Sequence, residues 1–542
     1  MQDEHEMGHE IQFSLCIFPC NVSWIKWFVL VFIDVYANII IMKSVLKIKI
    51  PDYVRYVARV LIKEGHKAYL VGGAIRNVTL GCLPKDYDIG TDALPEIVLK
   101  SFPKAISTGI KFGSVTVLAP DRHNEVHPVD VTTFRSDEKY IDGRWPSSVK
   151  FEKTIEKDLS RRDFTINALA IDLSQYGLSE LDNNDSNEDW EMIDLFRGTD
   201  DVENKLVRAV GDPVERFTED GLRPFRACRF ASVYGLEIEN ETMRAIKQTL
   251  PVARMVSIER IRDEFMKIIL KSPKPSVGIE LLRSSGLLKI FLPELVNTVG
   301  VQQPIFHSFD VYNHLIKTLD IAEDSVKLAA IFHDIGKPAK AMANGHFYGH
   351  DIESERIVRT VMTRMKFSKS EIKKTATLVR NHMFFFPYEE DKIVHDKLRK
   401  GENIGSTGFK YWTDGAVRRF IRRVGEKYIE DLFLLRIADA TSNPKSVFDP
   451  KEIEALQKRI SEVRKKDMVL KVSDLAVNGD DLSSIGINKN WKMGKVLSGL
   501  LDDVIEDPKR NTKEYLLNRA LFHYKNIFLK VQRSKKKFGK IK

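Results

Sequence analysis

The stretch Gly72–Thr91, GGAIRNVTLGCLPKDYDIGT, decides how the rest of the chain is read. Upstream of it, Ala68 to Val71 is a short apolar run with the length and flanks of a buried strand. Gly72 and Gly73 let the backbone turn sharply and approach a ligand closely. A helix predicted to start near Ala74 turns its free N–H groups and positive dipole end toward an anion, with Arg76 close by. Asp86 and Asp88 then stand at the i, i+2 spacing that puts both carboxylates on one face of a strand. A phosphate cradle beside two parallel carboxylates is the equipment of metal-assisted phosphoryl or nucleotidyl transfer. The carboxylates hold divalent ions, and the ions clamp the attacking and leaving oxygens. Singly, Gly-Gly is a turn and Asp-x-Asp an exposed edge; together in one strand–turn–helix–strand unit they are far more specific.

Around this unit the chain keeps the same alternation. Val54, Val57, Ala58, Leu61 and Ile62 fall at helical spacing within residues 51–64, and Leu94 to Phe102 reads as another helix. Val115 to Leu118 and Val129 to Thr132 alternate like strands, with Asp130 on one face. If those strands neighbour the Asp86–Asp88 strand, Asp130 completes a carboxylate trio; otherwise it is an ordinary exposed strand residue. Residues 137–148 form a polar, turn-rich loop. Arg161, Arg162, Asp163 and Asn167 follow in RRDFTIN, two cations for phosphates and an Asp for a ribose hydroxyl, though a solvated helix turn has the same composition. Residues 174–190, rich in Asn, Asp and Ser, read as a surface insertion.

A chain of 542 residues is long enough for three or more compact units. Its 85 Lys and Arg against 76 Asp and Glu leave +9, a modest excess suited to a polyanionic partner. Four cysteines, Cys16, Cys20, Cys82 and Cys228, form no disulfide framework, so a reducing cytoplasm is expected. The first forty-one residues differ in kind. Trp27 to Met42 is strongly apolar but short for a membrane span and broken by Asp34, and no small-residue cleavage site follows it. Two readings remain, translation from Met42, which we favour, and a peripheral anchor; no stable membrane association is expected.

From Val214 to Phe291 the pattern turns helical. Glu219, Asp220, Arg223 and Arg226 are predicted to share most of one helix face. As an exposed ion-pair ladder they would contribute little. As a base reader they have a specific logic. Cytosine and adenine each offer an exocyclic amine beside a ring-nitrogen acceptor. An Asp220 carboxylate accepts from that amine while the Arg223 guanidinium donates to the ring nitrogen. Uracil and guanine mismatch both contacts.

GGAIRNVTLG with DYDIGT, VDVTTFR, RRDFTINALAID, DLFRGTDDVENKLVRAVGDP and EDGLRPFRACRFA occur in the order and spacing of the class II tRNA nucleotidyltransferases. These are the CCA-adding enzymes, whose relatives are bacterial poly(A) polymerases. The resemblance covers roughly residues 50–520. It implies that Asp86 and Asp88 bind catalytic Mg2+, with Asp130 the candidate third carboxylate. It implies that Gly72, Gly73, Arg76, Arg161, Arg162, Asp163 and Asn167 meet nucleotide, and that Asp220, Arg223 and Arg226 meet its base. Asp194, Gly198, Asp201 and Arg208 fall on the family's linking motif. Two departures stand out: Asn77 replaces the usual Asp after Arg76, and Phe112 replaces a usual His.

Downstream, His314, His333, Asp334, His350, His382 and Asp439 sit in HFYGHDIESE, RNHM, RIADAT and the flanking helices, and resemble HD-domain phosphohydrolases. That resemblance implies one or two divalent ions, with Ni, Mn or a similar transition metal as candidate. A retained fold that scaffolds RNA without chemistry is the alternative. From Asp467 the chain resembles the family's helical, tRNA-gripping tail, and it ends in a basic SKKKFGKIK.

The resulting expectation is an α+β protein. A small mixed-sheet, polymerase-β-type nucleotidyltransferase head (42–210) follows an apolar extension (1–41). A helical neck with the base-reading motif (211–290), an HD body (291–445) and a helical tail (446–542) complete it. The expected activity is template-independent addition of CCA to tRNA from CTP and ATP. Poly(A) polymerase, CC- or A-addition alone, and an HD phosphohydrolase acting on RNA 3′-phosphates are the alternatives.

Overall fold

A computed structural model describes residues 45–137, 140–141, 145–146, 149–175, 188–304, 307–342, 346–387, 389, 412–446, 448–466 and 471–538. The apolar extension lies outside the described residues, as do parts of the 137–148 loop, most of the 174–190 insertion and the last four residues of the basic end. The chain divides into two compact units, one reaching Glu219 and the other beginning at Asp220. Among the described residues no helix is long and apolar enough to cross a membrane.

The first unit is built on an eight-stranded mixed sheet. Its strands are β1 (Val45–Ile48), β2 (Tyr69–Val71), β3 (Asp88–Thr91), β4 (Ala105–Gly109), β5 (Ser114–Pro120), β6 (Val126–Thr133), β7 (Leu169–Asp172) and β8 (Glu188–Asp194). They lie in the order β1-β8-β7-β2-β3-β6-β5-β4. All neighbours are antiparallel except β3 and β6, which run parallel. The 174–190 stretch is shorter as an insertion than its composition suggests, because β8 begins at Glu188 and pairs on both edges.

Strand alternation sorts the faces. Val115, Val117 and Ala119 of β5, Val129 and Val131 of β6, and Ile89 of β3 all face one core. There they meet α1 (Asp52–Lys63), whose Val54, Val57, Ala58 and Leu61 are buried at helical spacing. Asp88 and Asp130 are therefore on the opposite face. That face has a second, smaller core of Tyr69, Val71, Phe134, Ile155, Leu159, Ala168, Ala170 and Val210. Short helices α2 (Gly73–Thr79), α3 (Pro95–Ser101) and α4 (Ile155–Ser160) connect strands, and α5 (Gly198–Glu203) and α6 (Pro213–Glu219) follow the last of them.

Apart from a two-residue strand at Glu237–Ile238, the elements of the second unit are helical. It contains α7 (Arg223–Tyr234), α8 (Ile258–Lys271), α9 (Val311–Ile321), α10 (Lys327–Phe332), α11 (His350–Arg364), α12 (Lys369–Asn381), α13 (Ile429–Ser442), α14 (Trp491–Glu506) and α15 (Lys513–Phe538) among others. Local signals fix their starts. Ser368 and Glu371 close a reciprocal capping box on α12, and Asp310 caps α9 through the Asn313 N–H. Glycine sets how closely two of the helices pack. A Cβ at Gly336 would sit 2.5 Å from the Ser354 nitrogen and 2.7 Å from the His350 oxygen, so only glycine lets the turn after α10 touch the α11 backbone. The tail has its own core, in which Val496, Leu500, Leu501 and Val504 of α14 meet Leu516 and Ala520 of α15.

Candidate functional site

In the first unit three carboxylates meet at the parallel junction of the sheet. Asp88 opens β3 and stands in register beside Asp130 of β6. Asp86 lies in the exposed lead-in, one residue outside the hydrogen-bonded strand. Thr116 of β5 donates to Asp130 Oδ1 at 2.5 Å and fixes its orientation. Burial, followed by the charge of Asp130, pushes the Asp88 carboxyl up to about 6, with Asp86 adding to the effect. Arg162 and Arg76 pull the other way without cancelling it. Like charges gathered on rigid strands, against their own repulsion, have the oxygen donors and the electrostatic deficit of a hard divalent-cation site.

Beside the carboxylates the glycine turn and the arginine segment touch. Gly72 has φ +75°, and a Cβ there would lie 2.8 Å from Arg162 Nη1 and 3.9 Å from Asp88 Oδ2. Asp158 of α4 holds both arginines. Arg161 donates from Nε and Nη2 to its Oδ1 at 3.0 and 2.6 Å, and Arg162 Nη2 donates to its Oδ2 at 3.1 Å. Burial pushes the Asp158 carboxyl up most strongly, but the two guanidiniums together hold it below the ordinary carboxylate range.

Asn167 organises the rest. Its Oδ1 accepts from Arg76 Nη1 at 2.6 Å, its Nδ2 donates to Asp163 Oδ1 at 2.9 Å, and its backbone oxygen accepts from Arg162 Nη1 at 3.1 Å. Asn77 accepts from Arg76 Nε and Nη2 at 3.2 and 2.9 Å, so the neutral amide still anchors the guanidinium. Asp194, Gly198, Asp201 and Arg208 brace this segment from behind. Asp194 accepts from the Gly198 and Thr199 N–H groups at 2.7 and 2.9 Å and so caps α5. A Cβ at Gly198 would come within 2.3 Å of the Thr165 oxygen. Asp201 accepts from Thr165 Oγ1 at 2.7 Å and from Arg208 Nε at 3.1 Å.

The single helix face predicted for Glu219, Asp220, Arg223 and Arg226 does not form. The first unit's α6 ends at Glu219, and α7 starts at Arg223, with Asp220 to Leu222 in the break. Gly221 explains it: a Cβ there would stand 2.7 Å from the Val252 oxygen, so the chain turns against a neighbouring backbone. Asp220 accepts from the Leu222 N–H at 3.0 Å and from Arg260 Nη2 at 2.8 Å. Arg223 is buried as the first residue of α7, and the Arg226 guanidinium lies 5.3 Å from the Phe230 ring centroid.

All six residues of the second predicted constellation converge. His314 on α9, His333 at the end of α10 and Asp439 on α13 make one triad; Asp334, His350 and His382 make the other. His314 Nε2 is 3.1 Å from His333 Nε2 and 3.0 Å from Asp439 Oδ1. His350 Nε2 is 3.4 Å from His382 Nε2. Asp334 faces both triads, its Oδ2 3.3 Å from His333 Nε2 and its Oδ1 3.2 and 3.5 Å from His350 and His382 Nε2.

The backbone dictates which ring nitrogens are bare. Nδ1 of His333, His350 and His382 faces the carbonyl three residues earlier, of Ala330, Phe347 and Val379, at 2.8, 2.8 and 2.7 Å. A carbonyl only accepts, so each Nδ1 carries a hydrogen and Nε2 is the ring nitrogen turned inward. His314 Nδ1 meets Ser442 Oγ at 3.3 Å, and that hydroxyl's own hydrogen goes to the Asp439 oxygen at 2.8 Å. Lone pairs facing one another at these distances repel unless a cation stands between them. Asp334 Oδ1, buried and without a hydrogen bond among the described residues, adds a further waiting donor. Burial works to lower His333, yet Asp334 and Asp439 outweigh it and raise the ring to about 10, a measure of how strongly the cluster attracts positive charge. Imidazole and carboxylate donors with fixed second partners fit a divalent metal.

Residues 68–208 match the family model described as the poly A polymerase head domain, 235–298 the probable RNA and SrmB-binding site of polymerase A, and 305–443 the HD domain. These two longest matches make residues 68–208 similar to a poly A polymerase head domain and residues 305–443 similar to an HD domain. The CCA-adding enzyme of Streptococcus gordonii is 40% identical over 242 residues, 45% of this chain and 55% of that one. That of Lactobacillus helveticus is 42% identical over 212 residues, 39% and 48% of the two chains. The chain thus matches about half the length of these curated relatives. A solved CCA-adding enzyme of Bacillus stearothermophilus in complex with CTP shares the fold, with TM-score 0.57 and 23% identity over 88% of this chain and 100% of that one.

Several residues of the head and the HD domain lie outside the sequence-based expectation. In the head, Asp158 is three and four residues before the arginine pair, a helical ion-pair spacing that was there to be read. Thr116 acts through a partner distant in sequence and Asn77 through a departure from the family pattern; in the second unit Arg260 acts through Asp220, forty residues earlier. In the HD domain, Lys337 follows Asp334 by three residues, and its Nζ lies 2.5 Å from Asp334 Oδ2 and 2.6 Å from Gln303 Oε1. His307 stands edge-on to His314 at 5.8 Å; burial, then Lys337 and His314, lower it to about 4, so its ring is neutral at physiological pH.

Proposed function

We propose that the protein adds the 3′-terminal C, C and A to tRNA in the cytoplasm, using CTP and ATP. The observation that carries this reading is the in-register pairing of Asp88 with Asp130 beside an arginine pair locked by Asp158. The names of the curated relatives support it. Arg161, Arg162 and Arg76 hold triphosphate and ribose; because Asp158, Asn77 and Asn167 already fix them, little side-chain entropy is lost on binding. The tRNA 3′ hydroxyl gives its proton to water, its oxygen bonds to the α-phosphorus as the bond to the bridging oxygen breaks, and pyrophosphate leaves. Divalent ions at Asp86, Asp88 and Asp130, Mg2+ foremost, supply charge to the attacking and leaving oxygens when bound. Asp220 and Arg223 read the amine and ring nitrogen of C or A, with Arg260 orienting the Asp220 carboxylate.

Incubating the protein with Mg2+, labelled CTP or ATP, and tRNA lacking its end tests the reading. Incorporation of two C and one A is expected. Long A tails would identify a poly(A) polymerase instead, and C or A alone a partial enzyme; no incorporation at all overturns the proposal.

A second activity is favoured by Asp334, whose two oxygens face separate triads. We propose that the HD domain hydrolyses phosphate esters that block an RNA 3′ end, 2′,3′-cyclic or terminal phosphates, with a transition metal such as Mn or Ni. The two activities are then consecutive: one frees the hydroxyl that the other extends. Asp334→Ala is expected to end metal-dependent hydrolysis of a 2′,3′-cyclic nucleotide and to leave CCA addition intact. If the wild-type protein hydrolyses nothing with Mg, Mn, Ni or Co, the HD domain is a scaffold.

A further inference from the structure

Two buried nitrogens beside the HD ligands have no hydrogen-bond partner among the described residues: Nδ1 of His307 and Nε of Arg436. An unpaired buried donor costs about 1–3 kcal/mol, so two of them at one place call for an explanation. Neither belongs to the six ligands. Both stand at the Asp439 side of the cluster. The His307 ring meets the His314 ring edge-on, within electrostatic reach of Lys337, Asp334 and Asp439. Arg436 lies one turn before Asp439 on α13, with Nη1 3.6 Å from Asp439 Oδ2, and its guanidinium is over Phe448 at 5.7 Å. Lys337, tied to Asp334 and Gln303, adds positive charge at the same corner.

Polar donors with nothing to donate to, next to a site that gathers cations, describe the edge of a pocket for an anion. The anion must offer acceptors beyond those a metal uses. A carboxylate has two oxygens and exhausts them on such a centre; a tetrahedral oxyanion has oxygens to spare.

We propose that His307 and Arg436 grip the phosphoryl group of a phosphate ester at the HD centre, His307 through Nδ1–H and Arg436 through Nε–H. This inference rests on the hydrolase reading of the HD domain and names two substrate-binding residues for it. The rings and carboxylates of the two triads hold metal; His307 and Arg436 distinguish phosphate from other anions. His307 contributes a directed hydrogen bond, and Arg436 brings both a hydrogen bond and charge.

The test titrates inorganic phosphate into the full-length, Mn2+-reconstituted protein by calorimetry, with acetate as the control anion. His307→Phe keeps the ring's shape without the N–H, Arg436→Met keeps most of the side-chain length without the donors, and Arg436→Lys keeps charge alone. Each is expected to weaken phosphate by about tenfold or more, with Arg436→Lys the mildest. Bound Mn2+, melting temperature and acetate affinity should stay at wild-type values. Phosphate affinity within twofold of wild type in both His307→Phe and Arg436→Met overturns the inference. So does a loss of affinity that merely follows loss of Mn2+, or a wild-type protein that binds no phosphate. A protein that binds phosphate through His307 and Arg436 but cleaves no ester would overturn the hydrolase reading and leave this one standing.

Discussion

Replacing Asp88 by Asn should make the Mg2+-free protein more stable while ending nucleotide incorporation. The Asp88 carboxyl has an ordinary value of 3.8 and is carried to about 6 by burial and by Asp130. Its folded value is above its unfolded one, so its contribution is fully present below about pH 4 and is lost as the pH rises through about 6. A tenfold change in proton affinity is about 1.4 kcal/mol, so holding Asp88 ionised in the fold costs at most about 3 kcal/mol at pH 7.5. The amide of Asp88→Asn removes that charge and nearly keeps the shape. The assay is thermal unfolding of the full chain in EDTA at pH 4 and pH 7.5, followed at the transition that Mg2+ shifts. Near pH 4 the variant and wild type should melt together. At pH 7.5 the variant should melt higher, and added Mg2+ should narrow the gap by stabilising only the wild type. A variant that melts at or below wild type at pH 7.5 in EDTA would refute the idea that the three carboxylates are gathered against their own repulsion.

Asp86→Ala should abolish incorporation with tRNA binding nearly intact, read by incorporation and filter binding; near-normal incorporation would remove Asp86 from the metal site. Asp220→Ala should lose base selectivity more than triphosphate affinity, at roughly 1.5–3 kcal/mol for each charged hydrogen bond lost. Arg260→Ala should move selectivity in the same direction by less, and an unchanged ranking of CTP, ATP, UTP and GTP in Asp220→Ala ends the base-reading assignment. Gly336→Ala must push α11 outward, because the new Cβ meets backbone rather than a movable side chain. Overpacking of this kind costs about 1–3 kcal/mol, and His350 should leave its triad, so metal content falls while incorporation is kept.

What the sequence made legible was local or periodic. The Gly-Gly turn and Asp88 are a few residues apart, and alternation in Val129–Thr132 already set Asp130 opposite the apolar face. That β3 and β6 would pair, and in the register that aligns the two carboxylates, was not written locally: parallel neighbours are joined through a long crossover, so no turn fixes their offset. The break at Asp220 has a local mark in Pro224, which fits the first turn of α7 but not the interior of a continuous helix, while the Val252 backbone pressing on Gly221 is not written locally. The HD histidines could be picked out by residue type and order. Their tautomers could not, since those follow from where each helix places a carbonyl. Asp158 is less legible for a simpler reason: a carboxylate on a short helix has the composition of solvated surface, and only the fold bends both arginines back onto it.

Asp334 gives one oxygen to each triad, and this makes the HD ligands a single thermodynamic unit rather than two neighbouring seats. An ion filling the first seat draws electron density from the carboxylate that the second ion needs, so each ion's affinity depends on the other's occupancy, and by the same factor in both directions. A titration should therefore not resolve into two independent isotherms. A substitution confined to His350 should register in the occupancy of the seat formed by His314, His333 and Asp439.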